Sequence, residues 1–184
     1  LLDGHAEGAG WVMGKKPAEL LHAQLAQLGR SVAEGESLRL AEHATLWGGN
    51  LAVLASLVGT PYLPAIEGGV LYLEDVGESA YRIERMLSQL QLAGILDRQA
   101  AVVLGGFTDV ASSAHDKGFG MKTVVARLRE QLKVPVLTEL PFGHIATKLC
   151  LPTGACVNLD VTGREAVLMW AHDHDHEHGH SHAH

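Results

Sequence analysis

The 184-residue chain is 47% hydrophobic and has a formal charge of −7, which suits one well-buried domain with some additional structure but not two full-sized domains. Its 14 lysines and arginines form no basic run, so the composition argues against nucleic acid as a partner. No apolar run is long enough to span a membrane and the first residues lack an export signal, so we expect a soluble, cytoplasmic protein without a membrane partner.

The first part of the chain predicts two helices joined by a connector. Leucines at helical spacing predict a helix from Pro17 to Leu28. Residues 30–46 show no strong period and are expected to be a connector, with a short strand at Ser37–Ala41 as an alternative. The triplet Gly48-Gly49-Asn50 then opens a second apolar helix, which glycine and proline end at residues 59–61.

Strands and helices alternate in the rest of the chain. Apolar runs predict strands at 70–74, 100–107 and 135–140. Amphipathic periodicity predicts helices at 80–93 and 121–132. Two further β-prone runs, ACVNLDV and REAVLMW, follow each other directly. This order predicts an α/β fold, with a mixed sheet, flanking helices and an appended antiparallel β element.

The last thirteen residues, HDHDHEHGHSHAH, hold seven of the twelve histidines and cannot join a core, so we expect a disordered tail. Histidine nitrogens that alternate with aspartate and glutamate oxygens are ligands suited to Zn²⁺ or Ni²⁺. We therefore expect weak binding of several divalent ions by the tail, with no part in any catalysis. The candidate ligands are His172, His174, His176, His178, His180 and His182.

The two cysteines, Cys150 and Cys156, are six residues apart. This spacing fits neither a CxxC redox pair nor a four-ligand metal site. We expect both to be reduced and structural.

The stretch YLEDVGE places three carboxylates just after a predicted buried strand. Glu74 ends the strand, where a scaffold can fix a functional side chain beside a cleft, and a purely structural role is equally open. Asp75 and Glu78 are expected to be turn and first-turn acids, favoured by the N-terminal dipole of the helix that follows.

The stretch PFGH at 141–144 holds His144 in a rigid loop just beyond another strand. Such a histidine suits a general base, although a lone histidine is more often structural. Together with Glu74, it suggests the last two members of a Ser-His-Glu triad. No serine sits in a G-x-S-x-G elbow, so the nucleophile is not found in this chain.

Other interpretations of the polar residues stay open. The amide groups at Gly48, Gly49 and Asn50 could meet a substrate carboxylate at a helix N-terminus, but a tight packing turn is the favoured explanation of the triplet. Arg82 and Arg85 are expected to be solvated or ion-paired. A glycosidase pair of Glu74 and Glu78 is disfavoured, because the three tryptophans and three tyrosines do not cluster.

Four runs carry a resemblance to a known family. They are LWGGNLAVLASLVGTPYLP, VLYLEDVGESAYRIERMLSQLQLAGIL, VVLGGFTD and PVLTELPFGHIATKLCLPTGACVNLDV. Together they resemble the C-terminal domain of the LD-carboxypeptidases, serine peptidases that include murein tetrapeptide carboxypeptidases and microcin self-immunity hydrolases. The resemblance covers about residues 46–169, with several motifs in the same order.

The resemblance implies a two-domain, cofactor-free and homodimeric enzyme that releases a terminal D-amino acid from murein peptides. Its N-terminal domain would carry the serine, and a C-terminal domain of the swivelling β/β/α type would supply Glu74 and His144. The family's serine-aspartate motif is absent from this chain, so the isolated chain is expected to be inactive.

The expected organisation is an N-terminal remnant and connector at 1–45, the LD-carboxypeptidase C-terminal domain at 46–170 and the histidine-rich tail at 171–184. The alternative function is a catalytically silent domain that serves association or metal buffering. A peptidase of the microcin self-immunity type is a further alternative.

Overall fold

The computed structural model describes residues 6–111 and 116–171. Within these ranges no helix is both long and apolar enough to cross a membrane. The strands and helices are β1 (Ala6–Val12), α1 (Lys15–Gln27), β2 (Ser37–Asn50), α2 (Leu51–Ser56), β3 (Val70–Val76), α3 (Ala80–Leu92), β4 (Ala101–Thr108), α4 (Met121–Gln131), β5 (Val136–Leu137), β6 (Cys156–Thr162) and β7 (Glu165–Ala171).

All the described strands form one mixed sheet, in the order β1-β7-β6-β2-β3-β4-β5. The strands from β2 to β5 run parallel to each other, whereas β1, β7, β6 and β2 are antiparallel neighbours. The long strand β2 belongs to both halves, because it pairs with β6 and, through residues 46–50, with β3. The predicted α/β fold with an appended antiparallel β element is therefore confirmed.

Helices cover both faces of the parallel half. The apolar side chains of α1 pack on one face, together with alternate residues of β3 and β4 such as Tyr72 and Val103. The helices α2, α3 and α4 pack on the other face, against the intervening residues such as Leu73 and Leu104. Burial on both faces explains why β3 reads as a continuous apolar run in the sequence.

The N-terminal part differs most from the sequence prediction. β1 was not predicted, and the expected connector at 30–46 contains most of β2. A domain boundary after residue 45 would fall inside β2, between Thr45, which pairs with Cys156, and Leu46, which pairs with Val70. Both strands depend on partners far along the chain, which a local sequence pattern does not reveal.

The strand expected at 135–140 is only two residues long, because Glu139 has a positive φ of 65° and turns the chain. Side chains replace a strand partner along the outer edge of β5. The Gln24 amide accepts from the Val136 N–H at 2.9 Å, and Arg129 donates Nε and Nη2 to the Val136 carbonyl at 3.0 and 2.9 Å. Burial lowers the pKa of Arg129 to about 10. This edge is thereby closed to further strand pairing.

Gly48 permits a close approach of β2 to β3. It has a φ of +133°, and a Cβ at this position would lie 1.9 Å from the Tyr72 carbonyl oxygen. The neighbouring Gly49 has a similar φ of +140°, but a Cβ placed there would meet no atom within 4 Å. The first glycine is therefore required by packing as well as by backbone conformation.

We predict that Gly48→Ala lowers the free energy of unfolding by about 3 kcal/mol or more, because the added methyl group collides with the backbone of β3. Gly49→Ala is the matched control and should cost only about 1–2 kcal/mol of backbone strain. Urea denaturation of both variants measures the difference. Equal losses would show that the close approach is not a constraint.

Candidate active site

Glu74 lies in β3 near the carboxyl ends of the parallel strands and is 4% exposed. The β2–β3 register pairs it with Asn50, whose side-chain amide donates to Glu74 Oε1 at 3.2 Å. A buried carboxylate is costly unless its oxygens accept hydrogen bonds. Asn50 satisfies one of the two oxygens.

His144 is hydrogen-bonded to the other carboxylate oxygen of Glu74. Its Nδ1 lies 2.9 Å from Glu74 Oε2, while 59% of the histidine side chain is exposed. If the Glu74 carboxylate accepts this hydrogen bond, Nδ1 carries the hydrogen and the lone pair of the neutral ring is on Nε2. The structure thus brings together the two residues that the sequence predicts as a pair, and the imidazole remains open to solvent.

Three glycines allow the loop that carries His144 to approach the sheet. A Cβ on Gly143, where φ is +110°, would lie 2.8 Å from both Cβ and Oε2 of Glu74. A Cβ on Gly105 would lie 2.7 Å from the Phe142 carbonyl, and Gly106 donates its N–H to the same oxygen at 2.8 Å. The register between β3 and β4 shifts at this point, from Leu73–Leu104 to Asp75–Phe107. The double glycine is therefore a bulge against which the loop docks.

Aromatic and polar contacts fix the same loop from the core side. The rings of Tyr72 and Phe142 meet edge to face, with centroids 4.9 Å apart. The Tyr72 hydroxyl is hydrogen-bonded to the Thr153 hydroxyl. Because Tyr72 lies in β3, two residues before Glu74, one strand positions both the carboxylate and the histidine loop.

The N-terminal elements hold the segment that leads into this loop. The indole N–H of Trp11 donates to the Thr138 carbonyl at 3.1 Å. The Gly14 N–H, at the start of α1, donates to the Glu139 carboxylate at 2.5 Å. Residues of the predicted N-terminal remnant therefore help to place the histidine loop.

Asp75 differs from the prediction. It is 3% exposed, and its carboxylate faces the start of α2 rather than the helix that follows it in sequence. Oδ2 accepts from the Ala52 N–H at 3.0 Å, and Oδ1 accepts from the Asn50 amide at 3.0 Å. The interpretation of Asp75 as an acid that favours α3 was wrong, since neighbouring parallel strands bring α2 closer. Asp75 fixes the Asn50 amide that holds Glu74.

Glu78 forms an ion pair with Arg82 at 2.8 Å, one turn along α3. This agrees with a first-turn acid and gives no support to a glycosidase pair with Glu74. Ser79 is at the N-cap position of α3 but makes no capping hydrogen bond through its side chain.

The triplet Gly48-Gly49-Asn50 ends β2 and leads into α2. The Asn50 Oδ1 accepts from the Val53 N–H at 3.1 Å, and the Asp75 carboxylate accepts from the Ala52 N–H. Two N–H groups at the start of α2 that could have met a substrate carboxylate are therefore satisfied within the chain. A substrate contact at Gly48, Gly49 or Asn50 stays a prediction.

Within residues 6–111 and 116–171, no serine hydroxyl is hydrogen-bonded to His144. Ser112 and Ser113 lie outside the described residues, as does the tail with the predicted ligands His172, His174, His176, His178, His180 and His182. A cleft of about 440 Å³ borders the histidine loop, lined by the glycine bulge of β4, the start of α4 and residues 138–141 and 145.

The profile of the LD-carboxypeptidase C-terminal domain matches residues 43–159, which is more than half of the chain. The chain belongs to the LD-carboxypeptidase family. It is 39% identical over 117 residues to the murein tetrapeptide carboxypeptidase of Pseudomonas aeruginosa. The aligned segment covers 62% of this chain and 37% of that protein. It is 30% identical over 144 residues to a probable murein peptide carboxypeptidase of Bacillus subtilis, covering 78% of this chain and 42% of that protein.

A solved structure extends the similarity to the N-terminal elements. The muramoyltetrapeptide carboxypeptidase of Oxalobacter formigenes is 34% identical, with a TM-score of 0.73 over 93% of this chain and 52% of that chain. The microcin C7 self-immunity protein, at 22% identity and a TM-score of 0.60, shares the fold. The chain thus spans about two fifths of these curated relatives and half of the Oxalobacter structure.

Sequence reasoning missed the hydrogen-bonded pair of Asn50 and Asp75. The adjacent acids Glu74-Asp75 at a strand end were the available signal. Successive residues of a strand face opposite sides, so the two carboxylates need different surroundings. Finding the partner required knowing that β2 lies next to β3.

We predict that Gly143→Ala displaces the histidine loop, because its Cβ would overlap Glu74. The His144 ring resonances should shift, and the free energy of unfolding should fall by about 2–4 kcal/mol. Gly154→Ala is the control, since Gly154 also has a positive φ, +89°, but no atom within 4 Å. NMR spectra and urea denaturation of both variants provide the measurement. Unchanged His144 resonances in Gly143→Ala would contradict the described contact.

Proposed function

We propose that this chain is the C-terminal part of a serine-type LD-carboxypeptidase and supplies Glu74 and His144 to a Ser-His-Glu triad. The supporting observation is the buried Glu74 carboxylate 2.9 Å from Nδ1 of a histidine that is otherwise exposed. This is the arrangement in which a carboxylate orients an imidazole for proton transfer. The nucleophilic serine would come from the N-terminal domain of the complete enzyme, outside this chain.

The proposed reaction begins with the transfer of the serine proton to Nε2 of His144. The serine oxygen attacks the carbonyl of the amide that joins an L-centre to a terminal D-amino acid. Glu74 stabilises the resulting imidazolium through its bond to Nδ1, and His144 then protonates the leaving amine. Water then attacks the acyl carbonyl while His144 removes its proton, and His144 returns that proton to the serine oxygen as the acyl–serine bond breaks and the shortened peptide leaves as its carboxylic acid. No cofactor is required for this sequence.

The substrate class is taken from the relatives, which are named for murein peptides and a murein tetrapeptide. A cytoplasmic role in recycling such peptides and a homodimeric enzyme complete the proposal. The isolated chain should have no peptidase activity, because it would lack the nucleophilic serine. The catalytically silent domain is the competing hypothesis, and peptidase activity distinguishes the two.

We predict that Glu74→Gln lowers kcat by roughly 10³–10⁴-fold and changes KM much less, because the amide cannot stabilise the imidazolium. The test uses the full-length product of the gene that encodes this chain, with release of a D-amino acid from murein tetrapeptide as the assay. His144→Gln should cause a comparable loss.

Glu78→Gln is the matched control in the same stretch, because Glu78 bonds to Arg82 rather than to His144. Its kcat should stay within about threefold of the parent. Equal losses of kcat for the two variants would contradict the assignment of Glu74 as the catalytic carboxylate. If the full-length protein releases no D-amino acid, the silent-domain hypothesis stands.

A further inference from the structure

We propose that Asp75 is a positioning residue that acts on His144 through Asn50 and Glu74. The inference rests on the proposed function, since it gives Asp75 a part in the proton transfers of His144. Asp75 directly follows Glu74 in β3 and is 3% exposed. A side chain so deeply buried touches neither substrate nor reacting atoms, so its effect on the reaction must pass through its neighbours.

The four side chains form a continuous row of hydrogen bonds. The Asn50 amide nitrogen donates to Asp75 Oδ1 at 3.0 Å and to Glu74 Oε1 at 3.2 Å. The second oxygen of Glu74 lies 2.9 Å from Nδ1 of His144. A side-chain amide has two N–H hydrogens, so each carboxylate accepts one of them. Asp75 is thereby connected to the imidazole through the amide of Asn50 and the carboxylate of Glu74.

The surroundings of Asn50 permit only one orientation of its amide. Its Oδ1 accepts from the Val53 N–H at 3.1 Å, so its NH₂ group faces the two carboxylates. Reversal of the amide would set the NH₂ group against the Val53 N–H and the oxygen against Glu74 and Asp75. Donors would then face donors and acceptors would face acceptors, which is costly for buried groups. Asp75 and Val53 together therefore fix the donor that Glu74 requires.

The carboxylate of Asp75 is held by donors alone. Oδ2 accepts from the Ala52 N–H at 3.0 Å. Oδ1 accepts from the Val76 N–H at 2.9 Å as well as from the Asn50 amide. Three donors around one side chain suit a carboxylate, because both of its oxygens accept. Backbone groups of α2 and β3 thus set the position from which Asp75 orients Asn50.

Loss of this support would change the bond between Glu74 and His144. Without an acceptor at position 75, the Asn50 amide is free to turn, and Glu74 Oε1 loses its fixed donor. A buried carboxylate with an unpaired oxygen must shift or take up water, so the bond of its other oxygen to Nδ1 changes as well. Catalytic groups must be held within roughly 0.5 Å of their productive positions. The proton transfers of His144 should therefore slow, whereas substrate binding should be retained.

The first test records the ring-nitrogen resonances of His144 in ¹H–¹⁵N spectra of the whole chain. Asp75→Ala should shift these resonances, because the bond from Nδ1 to Glu74 changes. Asn158→Ala is the control, since Asn158 is also buried and its side-chain oxygen accepts from the His43 N–H at 2.8 Å in the antiparallel half. This control should lower the urea midpoint without moving the His144 resonances, which separates positioning from a general loss of stability.

The second test measures the release of a D-amino acid by the full-length product of the gene. Asp75→Ala should lower kcat by about 10- to 100-fold and change KM by less than about threefold. Asp75→Asn should lower kcat less, because its amide oxygen can still accept from Asn50. If Asp75 acts through Glu74, adding Asp75→Ala to Glu74→Gln should lower kcat by no more than about threefold beyond Glu74→Gln alone.

Unchanged His144 resonances in folded Asp75→Ala would overturn the proposal, even where Glu74→Gln shows that the proposed function is correct. Losses of kcat that multiply in the double variant would also overturn it. A full-length parent without peptidase activity would instead refute the proposed function, and the spectra would still decide whether Asp75 positions His144. If Asp75→Ala does not fold, Asn50→Ser cuts the same link while its hydroxyl can still cap α2. Unchanged His144 resonances in that variant would overturn the proposal equally.

Discussion

Burial of the Glu74 carboxylate is the constraint on which the rest of this site depends. A carboxylate that is 4% exposed is tolerated only if both oxygens are hydrogen-bonded, and here Asn50 binds one oxygen and His144 the other. The same bond that satisfies Glu74 orients His144. Stability and the proposed chemistry therefore require the same geometry, because an imidazole turned away would leave a buried oxygen unsatisfied.

The mixed sheet supplies this geometry from separate parts of the chain. β2 brings Asn50, β3 brings Glu74 and the bulge of β4 receives the loop that bears His144. Gly48 and Gly143 allow the close approaches that ordinary side chains would block. The first forty residues add Trp11 and Gly14, which bind the segment before the loop. The N-terminal elements are thus part of the structure that supports the site.

The sequence predicted those features that are local. A continuous apolar run ending in Glu74 and a rigid loop around His144 suggested the pair, and the resemblance to the LD-carboxypeptidases assigned it. The helices at 80–93 and 121–132 followed from their period. β1 was missed because AEGAGWV is rich in glycine and alanine and acquires its strand form by pairing with β7, more than 150 residues away. Asp75 was misinterpreted for a similar reason, since its partner Ala52 is a neighbour only across the sheet.

The tautomer of His144 tests the central claim most directly. If Glu74 accepts a hydrogen bond from Nδ1, the neutral ring must carry its proton on Nδ1 rather than on Nε2. Long-range ¹H–¹⁵N correlation spectra of the whole chain report which nitrogen is protonated, and a His144→Gln variant identifies the signals among those of the twelve histidines. The account predicts a protonated Nδ1 in the neutral His144 ring. Protonation of Nε2 instead would contradict it, because Nδ1 would then have no hydrogen to give to Glu74.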